Sequence, residues 1–172
     1  RGGSSILKHQ ALCPFRAFAR NRLGADGLET PVDGISPMLH GSLLHTVLEH
    51  FWKETRSREA LLLLDEESLE ARIRMYVDYA VNEERGLNYR PEFRDVEGDR
   101  LARLVAAHLE LEKTRDPFEV VGFEQEILQE IEGQTIRLII DRIDRLPSGL
   151  EVIIDYKTGM VDPKKWFGDR PE

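Results

Sequence analysis

At 172 residues the chain has the size of one domain with a sizeable core, and its 41% apolar and 33% charged residues fit a globular protein without disordered or fibrous character. No apolar run approaches the roughly 20 residues of a spanning helix, no signal-peptide pattern is present, and the single cysteine, Cys13, excludes an internal disulfide framework. A reducing cytoplasm and no membrane are the expected setting. The net charge of −8 argues against a protein that coats polyanions at large. That charge is uneven, however: residues 1–24 carry Arg1, Lys8, Arg16, Arg20 and Arg22 and no acid, and Lys157, Lys164, Lys165 and Arg170 enrich the other end. The chain starts without methionine and stops soon after a strand-like element, so it reads as a piece of a longer polypeptide.

In chain order, Ser4 or Ser5 caps a helix through Ile6, Leu7, Gln10 and Ala11. Pro14 interrupts it or opens the next helix. There Phe15, Phe18, Ala19 and Leu23 supply an apolar stripe, and Arg16 and Arg20, four apart, share a face that fits a phosphate backbone or plain solvent. Residues 24–37 read as a loop. Residues 41–52 form a strong helix, with Leu44, Val47, Leu48 and Phe51 on its buried face and His45 on the flank of that stripe. From the flank His45 can present an imidazole to a cleft, although a lone histidine there is more often structural; His40 and His50 have weaker claims. Residues 65–85 give a second long helix, faced by Leu69, Ile73, Tyr76, Val77 and Ala80. Residues 92–115 give a third, with Leu101, Leu104, Val105, His108 and Leu109. His108 reads as a packing residue, and the charged residues of both helices read as solvated faces. No phosphate-cradling glycine loop, zinc-type spacing or nucleophile elbow occurs.

From Glu119 the period changes to that of a strand: Val121, Phe123, Ile127 and Ile131 fall on one face, Glu124 and Glu126 on the other. Spacing does not choose between the two glutamates, and an exposed acidic face accounts for both. Then come two strand-like runs around Pro147-Ser148-Gly149, a turn cluster. If those three residues form the loop, Asp141 lies opposite Asp155 and Ile139 opposite Lys157. Asp141, Asp155 and Lys157 then share one face; a loop one residue different would split the aspartates. Two carboxylates and a lysine at a strand end suit a hard divalent cation such as Mg²⁺ with an activated water. They equally suit an exposed face with a cross-strand ion pair.

In this order, LKHQALCPFRAF (residues 7–18), HGSLLH (40–45), FEQEI (123–127), IIDRID (139–144) and IDYKTG (154–159) resemble the motifs of the PD-(D/E)xK nuclease superfamily, specifically its RecB-like and AddB-like branch. The resemblance covers most of the chain. Gly41 and His45 match a Gly-x-x-x-His pattern, Asp141 the second-motif aspartate, and Asp155 and Lys157 the Asp-x-Lys core. The apolar residue three positions on favours Glu124 over Glu126 as the strand glutamate. Two departures stand out: Leu138 occupies a position often held by glycine, and a downstream Gln-x-x-x-Tyr motif is missing, so the piece by itself is expected to risk inactivity.

The resemblance implies an α/β fold, a central mixed β-sheet flanked by helices (a restriction-endonuclease-like core) with a helical N-terminal part. It implies one domain over 1–172, mainly helical over 1–115 and sheet core with the catalytic hairpin over 116–172. It implies Mg²⁺- or Mn²⁺-dependent hydrolysis of DNA, single-stranded or at duplex ends, in recombinational repair beside a helicase module or subunit. Asp141, Asp155, His45, Glu124 and the Tyr156 carbonyl would hold metal, and Lys157 would act on the attacking water. Arg16, Arg20, Lys164 and Lys165 would guide the strand. Some relatives carry an iron–sulfur cluster with one early cysteine, but one cysteine cannot hold a cluster, and Cys13 is expected to be a buried thiol. The alternative is a nuclease-like module that binds DNA or a helicase and cuts nothing.

Overall fold

The computed structural model describes residues 5–25, 27, 34–84 and 91–159. Among the described residues the helices end by Thr114 and the strands begin after Phe118: α1 (Ser5–Leu12), α2 (Pro14–Ala17), a π-helical turn (Phe18–Arg22), α3 (Pro37–Thr55), α4 (Arg58–Leu62), α5 (Glu66–Glu83), α6 (Pro91–Thr114), then β1 (Glu119–Ile131), β2 (Gln134–Arg145) and β3 (Glu151–Ile154). The fold is α/β, with a three-stranded antiparallel sheet in the order β1-β2-β3, compatible with a restriction-endonuclease-like fold. Among the described residues no helix is long and apolar enough to cross a membrane. The chain divides into two compact units, one made of the described residues of Val32–Glu124 with Asp141–Gly159, the other of those of Arg1–Pro31 with Gln125–Ile140.

In the larger unit α3 is the central element. It starts earlier than its apolar pattern suggests, because Ser36 accepts a hydrogen bond from the Leu39 amide and Pro37 occupies the first turn. Leu44, Val47, Leu48 and Phe51 are buried as their spacing predicts, joined by Leu43 and Trp52. Burial of each aliphatic or phenyl side chain contributes roughly 2 kcal/mol. Arg56, in the left-handed region at φ 64°, ends the helix. Ser57 then caps α4, an element too short to show periodicity, and Asp65 caps α5. The core is completed by Leu69, Ile73, Val77 and Ala80 of α5 and by Leu101, Val105 and Leu109 of α6. Leu104 is exposed instead.

The charged residues of α6 are not all solvated. Glu97 and Glu112 are buried, Glu97 against the buried His40 of α3 and Glu112 against Arg142 of β2. A carboxylate with a fixed cationic or imidazole partner survives burial, and periodicity does not reveal the partner.

The hairpin after β2 has the expected register. Arg142 faces Ile154 and Arg145 faces Glu151, and the Pro147-Ser148-Gly149 loop closes with the Leu146 amide donating to the Leu150 carbonyl and Gly149 at φ +84°. The ladder ends at Arg142–Ile154, so Asp155, Tyr156 and Lys157 lie one step beyond it.

In the other unit Glu132 and Gly133, both at positive φ, make the two-residue turn between β1 and β2. The N-terminal apolar stripe does not form a buried face. Phe15, Phe18 and Leu23 are exposed, and Ala17 alone is buried in Ser5–Arg22. The turn widens to the π form at Phe18, which takes the residues out of the 3.6-residue pattern the stripe requires. Cys13 is exposed as well, correcting the expectation of a buried thiol: it is the N-cap residue before Pro14, outside any packed face. Arg16 is exposed, and Arg20 approaches His9 at 3.3 Å. The widened turn begins between the two arginines, so a shared face no longer follows from their spacing.

Candidate metal centre

The site lies entirely within the larger unit. α3 presents His45 from the edge of its apolar stripe, β1 presents Glu124 and β2 presents Asp141. One ligand atom from each of the three lies within 4.8 Å of the others. Two ligands on opposite sides of one divalent cation stand at most about 5 Å apart, so the trio fits such an ion. Glu124 adopts φ +40°, the left-handed region that non-glycine residues avoid at a cost of about 1–3 kcal/mol.

Tyr156 organises the trio through its main chain. Its N–H donates to Asp141 Oδ2 at 2.7 Å, and its carbonyl accepts from His45 Nε2 at 2.9 Å. In a neutral ring that bond leaves Nδ1 as the lone-pair nitrogen, 3.6 Å from Asp141 Oδ1. A histidine pinned by a carbonyl through one nitrogen and offering the other is the usual arrangement of a metal-ligating imidazole. Among the described residues no lysine or arginine pairs with Asp141 or Glu124. Partial burial and then the nearby Asp141 carboxylate, with Glu49 behind it, raise the Glu124 pKa above the usual carboxylate value. The negative charge is thus left for a ligand to neutralise.

In front of the trio opens a cleft of about 610 Å³, lined by Gly41, His45, Glu49, Glu124, Lys157 and Thr158 among others. A Cβ on Gly41 would meet Thr158 Oγ1 at 3.4 Å, so the glycine lets α3 approach the segment after β3 closely.

Of the residues singled out in the sequence, His45, Glu124, Asp141 and the Tyr156 carbonyl come together. Glu126 does not; it pairs with Arg137 at 3.0 Å. Asp155 is not one of the trio either: its two oxygens lie 2.8 and 2.7 Å from Lys157 Nζ in an ion pair half exposed on both sides. Lys157 lines the cleft. Lys164 and Lys165 lie outside the described residues.

Glu49 was missed. It sits four residues after His45 on the same face of α3 and lines the cleft, and that spacing was the available signal. A second omission is larger. Arg142, 1% exposed, donates through Nε and Nη2 to Asp144 at 2.6 and 2.7 Å, through Nη2 to Glu112 at 2.7 Å, and through Nη1 to the Tyr156 hydroxyl at 3.1 Å. Arg115 adds contacts to Glu112 at 2.7 Å and Asp144 at 2.9 Å. The Arg142 guanidinium also lies over the Trp52 ring, 4.0 Å from its centroid. Burial pushes the Tyr156 phenol up to about 12. The alternation Arg142, Asp144 in IIDRID hinted at a charged face but not at its burial.

An α/β domain with an acid-and-imidazole pocket beside the end of a β-hairpin defines a candidate metal-dependent hydrolase. The family model of the PD-(D/E)XK nuclease superfamily matches residues 4–167, and the chain belongs to that superfamily. Its members generally use divalent metal ions, as the trio would allow. No curated protein matches the chain.

Proposed function

We propose that the chain is a metal-dependent deoxyribonuclease domain of the RecB-like and AddB-like branch, acting on DNA ends as an exonuclease in recombinational repair. The observation that carries this reading is the His45, Glu124, Asp141 trio within 4.8 Å, two of whose members line an open cleft, in a chain of this superfamily. Mg²⁺ or Mn²⁺ is the proposed ion, Mn²⁺ being favoured by the imidazole ligand, and when bound it would supply Lewis acidity toward a phosphate oxygen and lower the pKa of a water. Asp141, held by the Tyr156 amide, and His45, held by the Tyr156 carbonyl, form the rigid side of the site. Glu124 contributes directly or through water.

Lys157 orients or deprotonates the attacking water and offsets charge on the phosphate. Asp155, a central ligand by family resemblance, now neutralises Lys157. Opening a half-exposed ion pair of this kind costs only about 0–1 kcal/mol, so both groups are available to a substrate complex. Arg16 and Arg20, with Lys164 and Lys165, would add salt-sensitive contacts to the strand without base specificity. A single domain, a cytoplasmic setting and a helicase module or subunit as partner complete the proposal.

The Asp155–Lys157 pair outside the trio is also what favours a second reading, a nuclease-like module that holds DNA or a helicase without cutting. Cleavage of end-labelled single-stranded DNA with Mg²⁺ or Mn²⁺ separates the two. Nuclease action predicts metal-dependent shortening that Lys157→Ala and Asp141→Ala both abolish. DNA retention without shortening by a wild type that binds Mn²⁺ supports the binding module, and cleavage that survives Lys157→Ala removes the lysine's role.

A further inference from the structure

Tyr156 stands just past the last rung of the β2–β3 ladder, at Arg142–Ile154, so no cross-strand pairing holds it. Its position is set instead by its amide on Asp141, its carbonyl under His45, and its buried hydroxyl on Arg142. His45 and His108 add edge-on ring contacts at 5.8 and 5.6 Å. Both main-chain bonds run to candidate ligands. Beside the packing of its ring in the core, the hydroxyl bond is the residue's polar anchor to the interior, where Arg142 is clamped by Asp144 and Glu112 and stacked on Trp52. Stability does not account for such a cluster, because buried ion networks are on average no more stabilising than apolar side chains of equal volume. A guanidinium fork held on three sides does give a fixed reference point.

We propose that Arg142 is a positioning residue of the metal centre: by holding the Tyr156 hydroxyl from the buried side of β2, it sets the Tyr156 amide and carbonyl, and through them Asp141 and His45, in the arrangement that takes a cation. This rests on reading the trio as a metal centre. Arg142 touches neither ion nor substrate; Tyr156 is the link between the network and the ligands, and the hydroxyl is its handle.

The test is Tyr156→Phe in the full chain, which deletes one oxygen. Amide hydrogen exchange resolved by residue is read without metal, and Mn²⁺ affinity by calorimetry. The expected result is an unfolding midpoint lowered only by the loss of one buried hydrogen bond and unchanged exchange at Ile143 and Val152, with exchange at residue 156 about tenfold faster and Mn²⁺ binding about tenfold weaker. Unchanged protection at residue 156 alongside normal Mn²⁺ binding overturns this inference and leaves the metal centre standing. A wild type that takes up no Mn²⁺ overturns the metal centre and this inference with it. If Tyr156→Phe does not fold, the same readouts apply to Arg142→Lys, which keeps the charge but lacks the fork, and the same outcomes decide.

Discussion

Two charged clusters meet at Tyr156, one built on Asp141 and the other on Arg142, and they follow opposite rules. Asp141 belongs to one and Arg142, its neighbour in the strand, to the other, although both lie against α3 and line one small cavity with Tyr156. On the Arg142 side two guanidiniums face two carboxylates, Glu112 and Asp144, with direct contacts throughout and negligible exposure at the centre. On the Asp141 side two carboxylates and an imidazole face one another beside an open cleft, with no lysine or arginine paired to the carboxylates among the described residues. The balanced cluster neutralises itself and needs no visitor. The unbalanced one leaves negative charge that a cation would neutralise, which is the property expected of a binding site and not of a scaffold.

The difference predicts opposite responses to losing a member. Arg142→Ala would leave Glu112 and Asp144 buried with only Arg115, and breaking a buried pair in this way costs about 3–5 kcal/mol. Urea denaturation measures it. A loss below about 1 kcal/mol would mean the network is wet or loosely held, and the contrast would disappear. Asp141→Asn tests the other side with a smaller effect of a different kind. Wild type should gain about 2.7 kcal/mol of stability when Mn²⁺ is present at a hundred times its dissociation constant, and the variant should gain almost none. Thermal unfolding with and without Mn²⁺ decides, and an equal Mn²⁺ shift in both proteins would remove Asp141 from the ligand set.

These two clusters also mark where the sequence was readable. The apolar stripe of residues 41–52 located the core of α3, and the Pro147-Ser148-Gly149 cluster located the turn and its register, because both follow from periodicity and local backbone chemistry. Asp141 and His45 were legible by type and place. The choice of Glu124 over Glu126 was not legible in the spacing, since alternation gives the two one face and only the fold brings Glu124 to His45 and Asp141 while Glu126 pairs with Arg137. Asp155 read as a partner of Asp141 because a continuing strand would put it opposite, but the ladder stops at Ile154. Glu112 read as solvated because its partner Arg142 is distant in sequence, and a charged residue looks solvated until its partner is known. The N-terminal apolar residues failed for the converse reason: a stripe predicts burial only when the helix keeps a single pitch.

The smallest expected effect concerns acid. His108 lies on the balanced side, its ring centroid 5.6 Å from that of Tyr156 and its Nε2 3.6 Å from Glu112 Oε1, that nitrogen buried and without a hydrogen-bond partner among the described residues. Burial pushes its pKa below the ordinary 6.5, and the Arg142 and Arg115 guanidiniums push the same way against the attraction of Glu112. The unfolded chain therefore takes up this proton at a higher pH than the folded one. Stability contributed by the neutral ring is complete above 6.5, declines as pH falls from there, and levels off below the lowered folded value. Glu124, whose raised pKa has the opposite sign, gains from protonation in the folded state, so acid loosens the balanced cluster while relieving the unbalanced one. Denaturation curves at several pH values for wild type and His108→Leu isolate the histidine, because every other titrating group is common to both. The wild-type curve should fall away from the variant's below pH 6.5; curves that stay parallel through that range would show that His108 takes up its proton alike in the folded and unfolded chain, and the two clusters would no longer differ in their response to acid.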